Sequence, residues 1–138
     1  QRFGVVTPIA RTDGLKPVVR ALREGQLLYL LPDMDLGSEE SVFVPFFGVP
    51  AATLLAPSRM ARMLNMVVQP VITELLPGGQ GWRVRFLPAL HDFPTADAEA
   101  DAAHMNRFIE HEILKQPAQY LWVHRRFKTR PPGQSRFY

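Results

Sequence analysis

Apolar residues recur at helical spacing in parts of this chain and fall in short runs or strict alternation elsewhere. Leu15, Val18, Val19 and Leu22 stand at i, i+3, i+4 and i+7, the spacing that puts one apolar stripe on a helix. Gly25 is placed to stop that helix, and Pro17 falls in its first turn, where a missing N–H breaks no hydrogen bond. A second helix is expected from Ala98 to Gln116, with Ala102, Met105, Ile109 and Ile113 on one face and Pro117 ending it. Residues Ala51 to Met66 also favour helix, with Pro57 either interrupting it or marking its start. There Met60, Met63, Leu64 and Met66 form a soft apolar surface whose plain reading is core packing.

The strand signals are shorter. Phe3 to Ile9 reads as a strand leading into the turn residues Thr12, Asp13 and Gly14. Gln26 to Leu31 is a largely apolar run directly after a helix, which predicts a buried parallel strand. Pro32-Asp33-Met34-Asp35-Leu36-Gly37 would then lie at the carboxyl edge of that strand, where open α/β sheets place a ligand crevice. Ser41 to Gly48 contains Pro45 and suits an edge strand or an extended loop, with Phe46 and Phe47 facing different partners. Val67 to Leu76 and Trp82 to Leu87 flank Pro77-Gly78-Gly79-Gln80-Gly81, and Trp82, Val84 and Phe86 alternate with Arg83 and Arg85. That pattern predicts a hairpin with one wet face. Pro88 to Asp97 reads as a loop. Helices alternating with strands place the chain in the α/β class, and the absence of a repeat or an internal linker makes residues 1–138 a single domain.

Composition narrows the chemistry. A 138-residue chain that is 46% hydrophobic can build a core. It has no cysteine, which excludes disulfides, thiolate metal sites and a cysteine nucleophile. Its longest apolar runs, Leu27 to Pro32 and Val42 to Pro50, fall far short of the roughly 20 residues a membrane-spanning helix needs. The chain begins at Gln1 with no signal-like segment, as a piece of a longer protein would. The net charge of +3 is unevenly spread: residues 1–114 hold ten Lys and Arg against thirteen Asp and Glu, and residues 115–138 hold six against none. Such a cationic tail predicts an anionic partner.

No G-x-S-x-G elbow, P-loop, G-x-G-x-x-G or H-E-x-x-H is present. His91, His104 and His111 have no motif around them. His124 lies in Tyr120-Leu121-Trp122-Val123-His124-Arg125-Arg126-Phe127-Lys128-Thr129-Arg130-Pro131, where aromatic and basic residues interleave. Two readings stand. The block is a terminal strand or turn with packed rings and solvated guanidinium groups, or it is an anion-binding surface whose arginine forks suit phosphate oxygens. Asp33 and Asp35 are equally two-sided: alternate positions at a strand end can aim two carboxylates together, and Asp also favours turns for local reasons.

The block from Gln119 to Pro131 closely resembles the carboxy-terminal signature of the late lipid A acyltransferases, the lauroyl and myristoyl transferases of Gram-negative bacteria. It is accompanied in order by Pro32-Asp33-Met34-Asp35-Leu36-Gly37, by Ser41-Val42-Phe43-Val44-Pro45-Phe46-Phe47-Gly48 with Ala51-Ala52-Thr53, and by Met105-Asn106 with Ile109-Glu110. The resemblance covers essentially the whole chain. It implies an α/β fold with a mixed β-sheet flanked by helices, part of a fold like that of the glycerolipid acyltransferases in the lysophospholipid acyltransferase superfamily.

The implied activity is transfer of a fatty acyl group from an acyl carrier protein thioester to a hydroxyl of a lipid A precursor, without a cofactor or a metal. It would take place at the cytoplasmic face of the inner membrane, with nucleic acid excluded as a partner. The family's base is a His in an H-x-x-x-x-D/E motif, where the carboxylate orients the imidazole. Five residues after His91, His104, His111 and His124 stand Ala96, Ile109, Gln116 and Thr129, so no catalytic residue is assigned here. The family's dyad and membrane anchor are expected upstream, which makes this chain a carboxy-terminal portion that is inactive alone.

The same resemblance assigns Asp33 and Asp35 to the acceptor pocket, although Met34 stands where a Gln or His is usual. It places Arg11 like an arginine that holds substrate phosphate. His124, Arg125, Arg126, Lys128 and Arg130 complete the expected substrate-binding set, holding anionic headgroups or the acidic carrier protein at the membrane surface. Phe43, Phe46 and Phe47 either line an acyl groove or pack in the core. The alternative is a non-catalytic module that binds membrane or acyl carrier protein.

Overall fold

The computed structural model describes residues 13–138. The chain divides into two compact units, Gln1–Leu30 and Leu31–Tyr138. The strand expected over Phe3 to Ile9 and the site residue Arg11 lie outside the described residues.

In the first unit, α1 runs from Leu15 to Arg23 as its periodicity predicts. Gly25, at φ +83°, closes it with an N–H to the Leu22 carbonyl at 3.1 Å, a conformation that costs glycine least. Arg20 and Arg23 sit in the last turn, where the helix dipole favours cations. None of its side chains is fully buried. The parallel strand expected at Gln26 to Leu31 is not formed: these residues are irregular, and Leu27 and Tyr29 are 99% and 74% exposed. A strand exists only through ladder partners, and no described strand pairs with this run.

The second unit is built from two antiparallel hairpins and two helices. Strands β1 (Ser41–Phe46) and β2 (Val49–Leu54) pair from Ser41–Leu54 to Phe46–Val49. Phe47 and Gly48 form the two-residue turn, with φ of +49° and +75°; two positive φ values give the twist that tight hairpins need. Ala51 to Leu54 is therefore strand, not the start of the helix its composition favoured. The helix that follows, α2, spans Ala56–Met63, and Pro57 marks its first turn. The third strand, β3 (Val71–Leu75), pairs with β4 (Trp82–Phe86) across the glycine-rich turn, as expected.

The long helix α3 spans Ala98–Lys115. The Asp97 carboxylate caps it by accepting from the Glu99 and Ala100 amides at 2.9 and 3.0 Å, Glu99 and Asp101 load its first turn, and Lys115 loads its last. It packs on the first hairpin, where Phe46, Ala51, Ile113 and Phe127 form the core, backed by Phe47, Val49, Ile109 and Tyr120. Small residues at Ala51 and Ala52, both almost fully buried, let the helix come close. Ser58 on α2 donates a hydrogen bond to the Asp101 carboxylate, which also accepts from the Thr95 amide and hydroxyl. The architecture is α/β, but both described sheets are two-stranded and antiparallel. Among the described residues the expected mixed sheet is therefore not present, since its parallel member was to be Gln26 to Leu31.

Candidate functional site: a cationic tail latched to a hairpin

After α3, the chain makes two 3₁₀ turns, Pro117–Gln119 and Trp122–His124, and then reverses at Arg125 with φ +55°. The reversal sends consecutive arginines in opposite directions: Arg125 is exposed, and Arg126 is 1% exposed. Arg126 donates from Nη1 to the Ala52 carbonyl at 2.6 Å and from Nη2 to Thr53 Oγ1 at 2.8 Å, with Asn106 Oδ1 at 3.4 Å. Its guanidinium carbon lies 5.1 Å from the Phe46 ring centre. Burial lowers its pKa, and the negative charges of Asp33 and Asp35 oppose that shift; an arginine so placed keeps its proton. Arg126 is therefore the pin that joins β2, α3 and the tail. Arg126 does not stand on a surface open to anionic headgroups, as the sequence led us to expect, because its guanidinium is buried and both terminal nitrogens donate within the protein.

Asp35 is likewise buried, at 2% exposure. Its carboxylate accepts from the Thr129 amide and the Thr129 hydroxyl, both at 2.8 Å, and from the Gly37 amide at 3.1 Å. Among the described residues no strand precedes the Pro32–Gly37 block, which is a turn fastened to the tail and not the carboxyl edge of a strand. Asp33 is half-buried and faces Tyr120. Burial first, and then the Asp33 charge and hydrogen bonding to it, push the Tyr120 hydroxyl far above its ordinary value, so Tyr120 stays neutral. The Tyr120 hydroxyl also lies 3.4 Å from His124 Nε2. His124 Nδ1 is 2.5 Å from the Leu121 carbonyl; a carbonyl can only accept, so Nδ1 carries a proton and the ring is held in one orientation.

Arg130 donates from Nη1 to the Pro50 carbonyl at 2.8 Å and from Nη2 to Gln134 Oε1 at 2.5 Å, with the Phe137 ring 5.5 Å from its guanidinium carbon. Phe137 in turn stacks at 4.8 Å against Phe127. This fixes one wall of a cavity of about 390 Å3 lined by Arg125, Lys128, Thr129, Arg136, Phe137 and Tyr138. Among the described residues, no carboxylate lies within salt-bridge distance of Arg125, Lys128 or Arg136. Three uncompensated cations around one cavity form an anion-binding arrangement. Arg136 was not singled out from the sequence, although it is one of the six cations behind the tail's charge excess.

Of the expected substrate-binding residues, the structure brings Arg125 and Lys128 to one cavity, puts Asp33 and His124 near the Tyr120 hydroxyl, and commits Asp35, Arg126 and Arg130 to holding the tail. Phe46 is fully buried and Phe47 packs edge-on against it at 5.0 Å, so both serve the core. The Met105-Asn106 and Ile109-Glu110 pairs on α3 also supply fasteners: Asn106 donates to the Pro45 carbonyl at 2.9 Å, and Glu110 accepts from the Phe47 amide at 2.9 Å. Among the described residues, no helix is long and apolar enough to cross a membrane.

Comparison with known proteins converges on one family. A model described as bacterial lipid A biosynthesis acyltransferase matches residues 1–129. The chain is 42% identical over 120 residues to the lipid A biosynthesis lauroyltransferase of Escherichia coli (strain K12), covering 86% of this chain and 39% of that protein. It is 39% identical over 127 residues to the lipid A biosynthesis palmitoleoyltransferase of the same organism, covering 91% and 41%. With the myristoyltransferase of that organism it shares 35% identity over 125 residues, covering 91% and 39%. The chain thus spans about two fifths of the length of these relatives.

Proposed function

The chain belongs to the bacterial lipid A biosynthesis acyltransferase family, and we propose that it supplies the acceptor-binding part of an enzyme that moves a fatty acyl group from an acyl carrier protein to a hydroxyl of a lipid A precursor. The observation that carries this reading is the cavity formed by Arg125, Lys128 and Arg136. A phosphorylated sugar lipid offers anionic oxygens that match two guanidinium forks and an ammonium. The same cations suit the acidic surface of a carrier protein. Asp33, beside the neutral hydroxyl of Tyr120, provides acceptor and donor groups for a sugar hydroxyl at the same end of the unit.

In the reaction, the acceptor oxygen bonds to the thioester carbonyl carbon, the carbon–sulfur bond breaks, and the thiol leaves. The hydroxyl proton needs a base, and none of the four histidines has an acid five residues on. The 138 residues alone are therefore expected to be inactive. The two hairpins and their helices are read as part of a glycerolipid-acyltransferase-like fold that works at the cytoplasmic face of the inner membrane.

Replacing Arg125, Lys128 and Arg136 together with Ala in the full-length protein tests this. The expected result is a KM for the phosphorylated acceptor raised at least about tenfold, with unfolding by urea unchanged. Acyl transfer at the original KM would refute the reading. The missing His–acid dyad supports a second reading, a non-catalytic module for membrane or acyl carrier protein; transfer activity of the full-length protein decides between the two.

A further inference from the structure

The hairpin β3–β4 wears its apolar face outward. Trp82, Val84 and Phe86 are 66%, 52% and 69% exposed, and Leu75, paired with Trp82, is 48% exposed. The alternating arginines are the ones with protein partners: Arg83 reaches Glu74, and Arg85 reaches Glu112 on α3, both at 3.4 Å. A two-layer packing ordinarily buries the apolar alternation and wets the polar one. The reversed arrangement leaves a continuous apolar strip, the mark of an interaction surface.

The strip does not stop at the hairpin. The Gln119 side-chain amide accepts from the Leu75 amide at 2.7 Å and donates to the Leu75 carbonyl at 3.1 Å. This ties the Leu75–Trp82 end of the hairpin to the segment that enters Leu121, Trp122 and Val123, which are themselves exposed. Trp122 Nε1 donates to the Pro117 carbonyl at 2.9 Å, so its polar atom is satisfied inside the protein and the indole carbons are free to meet an apolar medium. Both tryptophans of the sequence belong to this surface. The same segment continues into Arg125 and Lys128, in a stretch of 24 residues without an acid.

We propose that the outward face of β3–β4, continued by Leu121, Trp122 and Val123, seats this unit in the interfacial layer of an anionic bilayer. Tryptophan, phenylalanine and aliphatic side chains beside unpaired cations suit the headgroup boundary, where rings sit among acyl chains and arginine and lysine meet lipid phosphates. A second copy of the chain fits the strip poorly. The two five-residue strands cover roughly 17 Å by 10 Å, and the three further residues Leu121, Trp122 and Val123 leave the surface well short of the about 800 Å2 per partner that a stable dimer covers. The choice of a bilayer rests on the lipid-acceptor reading above; the exposed face itself does not.

The test places a polarity-sensitive fluorophore on the full-length protein at Val84→Cys and, separately, at Arg83→Cys on the opposite face. Each labelled protein is mixed with phosphatidylcholine vesicles, with and without phosphatidylglycerol, that carry a quencher in the acyl chains. The expected result is several-fold stronger quenching at 84 than at 83, enhanced by phosphatidylglycerol, and at least about tenfold weaker vesicle binding in V84E/F86E. Equal quenching at both positions would overturn the proposal. So would a probe at 84 that is shielded before vesicles are added, which points to another segment of the chain, or a dimer that V84E/F86E dissociates. Acyl transfer to acceptor dispersed in detergent is expected to survive V84E/F86E. If transfer by the unaltered protein is absent there while lipid quenching persists, the enzymatic reading fails and the bilayer contact stands.

Discussion

Asp35 and Thr129, 94 residues apart, are joined by two hydrogen bonds of 2.8 Å, one from the threonine amide and one from its hydroxyl. A single carboxylate thus closes the loop from the start of the second unit to its tail. Both bonds need an acceptor, and an asparagine presents only one acceptor oxygen together with an amide that must itself be paired. Asp35→Asn is expected to lower unfolding stability by about 1–3 kcal/mol. Thr129→Val should cost less, because it removes one donor and leaves the amide bond. Urea denaturation of the two single variants and the double variant measures the coupling, and strictly additive losses would show that the pair is not a unit.

Under the proposed function, the exposed Arg125 serves binding and the buried Arg126 serves folding, at adjacent positions. Arg126→Ala strands the Ala52 carbonyl, Thr53 and Asn106 in a dry interior and is expected to cost on the order of 2–4 kcal/mol. Lysine cannot replace it, because one ammonium does not reproduce the planar fork. Arg125→Ala is expected to leave the urea midpoint within about 0.5 kcal/mol of the parent while weakening binding of the phosphorylated acceptor. Comparing midpoint and KM for the two variants checks the division; a stability loss at Arg125 as large as that at Arg126 would contradict it.

This division explains what could be read from the residues and what could not. The periodicity of Leu15, Val18, Val19 and Leu22 and that of Ala102, Met105, Ile109 and Ile113 found both long-spaced helices, because local spacing sets which face is apolar. The glycine turn before Trp82 found the second hairpin for the same local reason. Ala51 to Leu54 was not legible as strand: alanine and leucine favour helix, and only pairing with Ser41 to Val44 overrides that preference. Gln26 to Leu31 looked like a core strand because hydrophobicity reports a wish for burial, not the presence of a partner. In the tail, charge counting located the cationic segment but could not sort its cations. Which arginine turns inward depends on the backbone reversal at Arg125, and the block's other half, Asp35, Thr53 and Asn106, is distant in sequence.

Tyr120 gives a pH dependence on the alkaline side. Its hydroxyl pKa is raised, by burial first and by Asp33 second, so the folded state keeps the proton that the unfolded chain gives up near pH ~10. The contribution of Tyr120 to stability is whole below that pH and is lost as pH rises beyond it. Tyr120→Phe should flatten the fall of stability above pH ~10 relative to the parent, and should also release the His124 ring from its 3.4 Å contact. Urea midpoints across the alkaline range, read with the His124 imidazole resonances, check both effects. Parallel curves for variant and parent would remove the assigned role.

Glu112 acts in the opposite range. Burial raises its pKa, but Lys115 at 2.5 Å and Arg85 at 3.4 Å outweigh that and hold the carboxyl below its ordinary value. A depressed carboxyl contributes stability that is present above its unfolded pKa, about 4.3, and is lost as pH falls through the folded value. Arg85 and Lys115 are both partly exposed, so the contribution is discounted to about 0.2–1 kcal/mol per pair. Glu112→Gln is therefore expected to be less stable than the parent at neutral pH, with the gap closing below pH ~4. Because Arg85 is the ion-pair link from β4 to α3, the variant should also speed amide exchange in β4 ahead of α3. A gap that stays constant down to low pH would mean that Glu112 works through packing and not through its charge.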